Sequence, residues 1–285
     1  MKSIKTLIAI VALAGLTSGA AFAQSHEREI PPRVTWSFSG PFGTYDETQL
    51  QRGFKVFHEV CSNCHSLNKI AFRTLAEKGG PGFTKEQVTA LAATYKVKDG
   101  PNDAGDMFER PARPADFWPA PFPNKQAAAA ANGGAAPPDF SVIAKARTYE
   151  RGFPWFVFDI FTQYQEQGVD YIASLLPGYE EPPAGVTVPD GKYYNKYFPG
   201  NVISMPPPLQ DGAVTYLKGP DGKPQAPETV QQYAKDVAAF LMWAAEPHME
   251  QRKEIAFRVL VFLLVFAGLL YFTKKKIWAN VEGHA

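Results

Sequence analysis

Cysteine, methionine and histidine are all scarce in this chain of 285 residues: two, five and five. Two cysteines, Cys61 and Cys64, cannot build the multi-bridge framework that holds small secreted domains together. They cannot complete a four-ligand zinc site either, because no second C-x-x-C and no spaced histidine pair accompanies them. Formal net charge is only +1 at pH 7 and no Lys/Arg run occupies the middle of the chain, which leaves no argument for nucleic acid as a partner. Between Gly152 and Gly191 there is neither lysine nor arginine. What is abundant is apolar surface, at 45% hydrophobic residues, together with 25 prolines and 23 glycines. That composition predicts a sizeable core joined by many turns and long irregular connections.

Both ends have their own character. "MKSIKTLIAIVALAGLTSGAAFAQ" opens with Lys2 and Lys5, runs through an apolar stretch and reaches Ala21-Phe22-Ala23. This reads as a signal peptide over 1–23, cut before Gln24, with a retained N-terminal anchor as the alternative. Near the other end, Ile255 to Thr273 is apolar on all sides except for Arg258, whose stem can snorkel toward headgroups. Lys274, Lys275 and Lys276 close it, and Trp278 suits a membrane interface. The expected layout is a periplasmic domain over 24–250, a transmembrane anchor over 251–273 and a cytoplasmic tail over 274–285. That arrangement places the protein in a bacterial inner membrane, with lipid as a contact.

The two cysteines stand in "EVCSNCHSL", residues 59–67. A redox disulfide of the thioredoxin kind would sit in a β-α-β pattern and needs no histidine after its second cysteine; neither feature matches here. C-x-x-C-H is the attachment signature of c-type haem. Each thiol adds across one vinyl group, and the three-residue step sets two sulfurs at matching positions. His65 then follows as the iron ligand. The expected fold is mainly α: a class I cytochrome c-like haem domain with long Pro/Gly-rich loops, plus one C-terminal transmembrane helix. "DETQLQRGFKVFHEVCSNCH" supplies the required helix, with Leu50, Phe54 and Phe57 on one face and Asp46 or Thr44 as its cap. Gly53 allows a second helix to approach. The expected partner is "PETVQQYAKDVAAFLMWAAEP", with Pro227 in its first turn and an apolar stripe of Val230, Tyr233, Val237, Phe240 and Leu241.

A relay haem is six-coordinate, and Met/His ligation raises its potential. Met205, in "GNVISMPPPLQ", has three prolines to stiffen its loop; Met107 is the runner-up. Met242 and Met249 fall in or beside the C-terminal helices, and His58 lies one turn before Cys61, on the wrong side of the site. His65 and Met205 lie 140 residues apart, so the Pro/Ala/Gly-rich segment "RPARPADFWPAPFPNKQAAAAANGGAAPPDFS" is expected to wrap the haem rather than link two domains.

Along its whole mature length the chain resembles the cytochrome c1 family in its bacterial form. Besides C-x-x-C-H, the resemblance is carried by "PNDAGDMFERP", "AANGGAAPPDFS", "AKAR", "GVDYIASLLPGY", "YYNKYFPGNVISMPPPL" and "FLMWAAEP", in that order and ahead of the tail anchor. It implies covalent haem c on Cys61 and Cys64, with His65 and Met205 as axial ligands. It also implies propionate-side roles for Arg147 and Tyr171. The stretch "TYERGFPWFVFDIFTQYQEQG", 148–168, is longer than the corresponding link in the mitochondrial form, and it either covers haem or meets a neighbouring subunit. The extra disulfide of some bacterial members is excluded by the cysteine count. The implied partners are cytochrome b, a Rieske iron–sulfur protein as electron donor and a soluble periplasmic cytochrome c as acceptor. The alternatives are a free-standing membrane-anchored cytochrome c shuttle and a haem-c subunit of a terminal oxidase; a peroxidase-like enzyme would require Met205 to leave the iron.

From Gln24 to Glu250 there are 21 Lys and Arg against 26 Asp and Glu. Asp159, Glu166, Asp170, Glu180, Glu181 and Asp190 fall in the stretch without cations, and an acidic face there would steer a basic acceptor. An ordinary solvated surface is the competing reading.

Overall fold

Asp46 sets the start of the first helix. Its backbone is extended and its carboxylate accepts the Gln49 N–H at 3.0 Å, satisfying a donor that the first turn leaves free. In this computed structural model, which describes residues 28–149, 151–162 and 164–279, helix α1 then runs Glu47–Glu59. Asp46, not Thr44, is the cap. The expected signal peptide and the end of the tail, from residue 280, lie outside the described residues. Leu50, Phe54 and Phe57 are buried on one face, as the spacing predicts.

That face meets helix α7, Val230–Ala245, with α2 (Lys85–Ala93), α3 (Lys125–Ala131), α4 (Ile143–Ala146), α5 (Trp155–Thr162) and α6 (Gln167–Leu175) between them in the chain. Thr229, whose hydroxyl accepts the Gln232 N–H at 3.4 Å, caps α7. Pro227 therefore precedes the helix instead of occupying its first turn, because the capping hydroxyl fixes the start two residues later. Tyr233, Val237, Phe240 and Leu241 are buried as expected, and Val230 is half-buried. Gly53 is where the two helices touch: a Cβ there would lie 2.0 Å from the Asp236 carbonyl oxygen and 2.8 Å from Phe240 Cβ. Phe54 and Phe57 pack against Phe240 with ring centroids 5.7 and 5.5 Å away.

The crossing is pinned by one carboxylate. Asp236 is fully buried. It accepts from Arg52 at 2.8 and 3.1 Å, Gln49 at 3.2 Å, Gln232 at 2.9 Å and the Tyr216 hydroxyl at 2.9 Å. A buried charge persists only when it is paired and hydrogen-bonded in this way.

Two small antiparallel ribbons complete the described residues: β1 (Lys96–Asp99) with β2 (Phe108–Pro111), and β3 (Tyr193–Tyr194) with β4 (Val202–Ile203). The proline-rich segment is part of the core rather than a linker. Its Trp118 is 3% exposed and packs on Phe72, with centroids 4.5 Å apart.

Helix α8 runs Met249–Trp278, 30 residues without a break. At 1.5 Å per residue it is about 45 Å long, more than the ~30 Å hydrocarbon core of a bilayer. From Ile255 onward its large apolar side chains stand exposed, while Met249 at its start is buried. The helix starts ahead of the apolar run because its first turns are fastened to the globular part. Glu250 accepts the Tyr45 N–H at 2.8 Å, and Lys253 Nζ donates to the carbonyls of Phe38 and Gly43 at 2.6 and 3.1 Å.

Candidate functional site

The 3₁₀ turn Cys61–Asn63 follows α1 directly. Both the Cys64 and His65 N–H groups donate to the Cys61 carbonyl, at 3.1 and 2.9 Å. One turn thus presents both thiols, which are not joined in a disulfide, and the imidazole. Burial pushes the Cys61 thiol up to about 12, with the neighbouring Cys64 adding to the shift.

The tautomer of His65 follows from one contact. Nδ1 lies 2.8 Å from the Pro138 carbonyl oxygen. A carbonyl only accepts, so Nδ1 carries the proton and the Nε2 lone pair is left for a metal. Burial lowers the imidazole pKa, with Pro138 and Asp139 partly opposing, which keeps the ring neutral. The ring lies flat on Phe140, with centroids 3.8 Å apart and planes 16° from parallel. Asp139 accepts from Ser66 Oγ at 2.7 Å and from the N–H groups of Asn68 and Ser141 at 2.9 Å each. Burial opposes its ionisation, but these hydrogen bonds outweigh it and hold the carboxyl below its ordinary range. "PPDF" is therefore the clamp on the histidine turn, a role the sequence pattern did not reveal.

Met205 follows β4, half-buried, ahead of Pro206, Pro207 and Pro208. Its carbonyl accepts from the Tyr179 hydroxyl at 3.1 Å, and Lys192 Nζ donates to Ser204 Oγ at 2.6 Å. Met107 is 62% exposed, while Met242 and Met249 are buried in the core. Of the described methionines, only Met205 combines a braced loop with partial burial.

Arg147 ends α4 with an exposed side chain that forms no ion pair among the described residues. Gly168, in the first turn of α6, lies against its backbone: a Cβ there would be 1.8 Å from the Ala144 carbonyl oxygen and 2.6 Å from that of Arg147. Tyr171, on the same helix, is 4% exposed, and its hydroxyl makes no hydrogen bond among the described residues. Burial raises the Tyr171 phenol pKa, and the positive charges of Arg147 and Arg28 pull it back. The Tyr179 phenol is raised by burial, with Tyr171 the next contributor. The charge of Arg147 is thus felt at Tyr171, and the Tyr179 hydroxyl holds the Met205 carbonyl. From the other side, "PPDF" joins His65 to α4 through the Ile143 N–H, which donates to the Phe140 carbonyl at 3.2 Å. Arg28, whose charge also acts on Tyr171, is a residue that sequence reading missed; nothing in its local pattern marks it.

Two free thiols, an imidazole with Nε2 available, a braced thioether, an unpaired guanidinium and an unpaired phenol form a donor set that fits haem c. The acidic-face reading fares less well. Asp159 pairs with Arg151, and Glu166 and Asp170 are buried, so three of the six carboxylates are withdrawn from the surface. Glu180, Glu181 and Asp190 remain exposed, with Glu180 3.5 Å from Lys196 Nζ.

The model of the Cytochrome C1 family matches residues 36–281. "Cytochrome c1" of Blastochloris viridis is 52% identical over 270 residues, covering 94% of this chain and 93% of that protein. "Cytochrome c1" of Rhodospirillum rubrum is 43% identical over 276 residues, covering 96% and 97%. "Cytochrome b/c1" of Bradyrhizobium diazoefficiens is 62% identical over 281 residues, which cover 96% of this chain; the chain spans only 40% of that protein. The chain belongs to the cytochrome c1 family, the subunits that carry covalently bound haem c in bc1 complexes.

Proposed function

We propose that this chain relays single electrons from a Rieske [2Fe–2S] protein to a soluble periplasmic cytochrome c within a quinol–cytochrome c reductase. Haem c bound to Cys61 and Cys64 supplies the one-electron chemistry. The chain's own residues hold and tune it. His65 offers Nε2 because Pro138 takes the proton of Nδ1. Met205 offers a thioether from a loop tied down by Tyr179 and Lys192. Arg147 and Tyr171 receive the propionates. What supports the reading is a histidine whose Nε2 is free together with a methionine on a braced loop. If both held the iron, no position would be left for a substrate, and the site would suit transfer rather than bond-making. The relative named "Cytochrome b/c1" supports cytochrome b as the membrane partner. Residues 24–250 form the periplasmic haem domain, 251–273 the anchor and 274–285 the cytoplasmic tail.

The test has two parts. In mild detergent the haem-stained band is expected to co-migrate with cytochrome b and a Rieske protein. Copper–haem oxidase subunits in its place, or no partner, would favour an oxidase subunit or a free-standing shuttle. Met205→Leu is expected to abolish the sulfur–iron charge-transfer band and lower the potential sharply, while Met107→Leu changes neither. An intact band in Met205→Leu refutes the ligand assignment.

A further inference from the structure

The proposed relay uses no residue of helix α5. Its residues are almost all apolar, and three of its aromatic side chains stand exposed along with one just ahead of it: Phe153 is 83% exposed, and Trp155, Phe156 and Phe158 are 52, 57 and 53% exposed. Such a patch on a soluble surface marks contact with something apolar. We propose that α5 is an interfacial membrane element, its aromatic side chains lying in the headgroup–acyl boundary of the same bilayer that α8 crosses.

The position of α5 favours lipid. It faces the start of α8 across a cleft of about 510 Å³ whose lining includes Phe156 on one side and Ala256, Phe257 and Leu260 on the other. Those three belong to the first turns of the apolar run that begins at Ile255, so Phe156 lies at the level where the span begins. Phe42, 75% exposed, packs edge-on against Phe257 at 5.9 Å and adds another aromatic ring at that level. Aromatic side chains gather at such depths, where an apolar body meets the polar headgroups. Arg252 and Lys253, which line the same cleft, are both held by the globular part, Arg252 by Glu246 and Lys253 by the Phe38 and Gly43 carbonyls.

The charge of the element also fits. From Gly152 to Thr162 the only ionisable side chain is Asp159, and Arg151 neutralises it. The Arg151 guanidinium also lies 5.3 Å from the Trp155 ring centroid. Apart from that paired carboxylate, the segment carries no ionisable side chain to oppose its transfer out of water. Finally, α5 is mounted rigidly. The hydroxyls of Tyr149 and Tyr164 meet at 2.7 Å and close the excursion at its base. Tyr164 also donates to Asp170, which accepts from Trp36 Nε1 at 2.7 Å and the Val34 N–H at 3.2 Å. The aromatic side chains are thus presented as a unit.

The inference rests on α8 spanning the bilayer, and the test separates the two. Nitroxide labels at Phe156→Cys, at Gly268→Cys within the span and at Asp103→Cys in the exposed β1–β2 turn are placed in the full-length haem protein in phosphatidylcholine–phosphatidylglycerol nanodiscs. An unchanged haem spectrum verifies the fold. Power saturation with oxygen and a water-soluble nickel chelate then reads depth. The oxygen-to-nickel ratio at Phe156 is expected to exceed that at Asp103 severalfold and to approach that at Gly268. A water-like ratio at Phe156 with a lipid-like Gly268 overturns the proposal and leaves the span intact. A Phe156 ratio that becomes lipid-like only in the assembled complex assigns the patch to a protein neighbour and also overturns it. A water-like Gly268 removes the span and the proposal together.

Discussion

Replacing Gly53 with alanine adds one methyl group at the point where α1 and α7 touch. The new Cβ would meet the Asp236 carbonyl oxygen at 2.0 Å, where ordinary contact begins at 3.4 Å, so α1 and α7 must separate by about 1.4 Å. Overpacking of this kind costs about 1–3 kcal/mol by itself. The separation also pulls Arg52 away from Asp236. Their hydrogen bonds of 2.8 and 3.1 Å do not survive such a shift. Breaking a buried ion pair costs about 3–5 kcal/mol. Gln232, on the same helix as Asp236, still donates to it, so the lower end of that range applies. A total of about 4–6 kcal/mol is expected, a large part of the ~5–15 kcal/mol that holds a typical domain together. Denaturant unfolding of the detergent-solubilised haem protein, followed at the Soret band, measures it. Gly268→Ala is the control, since nothing lies within 4 Å of a Cβ there. A loss below about 1 kcal/mol for Gly53→Ala would refute the claim that this crossing is rigid.

Arg147→Gln removes a positive charge beside the site and favours the oxidised, more positive iron; the potential is expected to fall by about 20–50 mV, less than the 59 mV of one tenfold step, and redox titration checks it. Asp46→Ala deletes the cap of α1 and is expected to cost about 1 kcal/mol at pH 7. Burial raises the Asp46 pKa, but the hydrogen bonds from Thr48 and Gln49 together hold it below the ordinary carboxylate range. The cap's contribution is therefore fully present above the unfolded pKa and fades as pH falls through the folded one, so wild type and variant should converge in acid; a difference that persists there contradicts the capping role. Raising ionic strength is expected to slow reduction of a basic cytochrome c, and a rate that does not respond to salt rules out electrostatic docking.

The sequence was most informative where one residue type has one physical use. C-x-x-C-H allows few chemistries, and a glycine inside an amphipathic helix points to a close crossing, which Gly53 makes with Asp236. The stripe Tyr233, Val237, Phe240, Leu241 follows helical spacing and is buried accordingly. Less legible were contacts between residues distant in the chain whose local pattern is unremarkable. Pro138 matters through its carbonyl, which every residue possesses, so no side-chain signal marks it. Arg28 approaches Tyr171 from 143 positions away. The six acidic residues of 159–190 looked like one surface because a count of charges carries no depth. Asp159, Glu166 and Asp170 turn inward, where a cation or hydroxyl donors are available to some of them. Pro227 read as a first-turn residue because proline tolerates that position, but the Thr229 hydroxyl took the cap.

The 140 residues between His65 and Met205 can now be understood as framework. On the proposed ligation by His65 and Met205, two distant segments would have to be held against one reference. Here that reference is α7 and the base of the anchor. α1 carries the cysteine turn and is locked to α7 at Gly53 and Asp236. Lys145, two residues from Arg147, pairs with Glu246, and so does Arg252 of α8. The same glutamate therefore ties the Arg147 side of the site to the membrane helix. Met205 is held in turn by the Tyr179 hydroxyl on its carbonyl. The proposed relay, taking an electron from one partner and giving it to another, would need its iron at fixed distances from both. Coupling of α1 and of the Arg147 side to the anchor suits that need and gives a use for a long, loop-rich chain around a single redox centre.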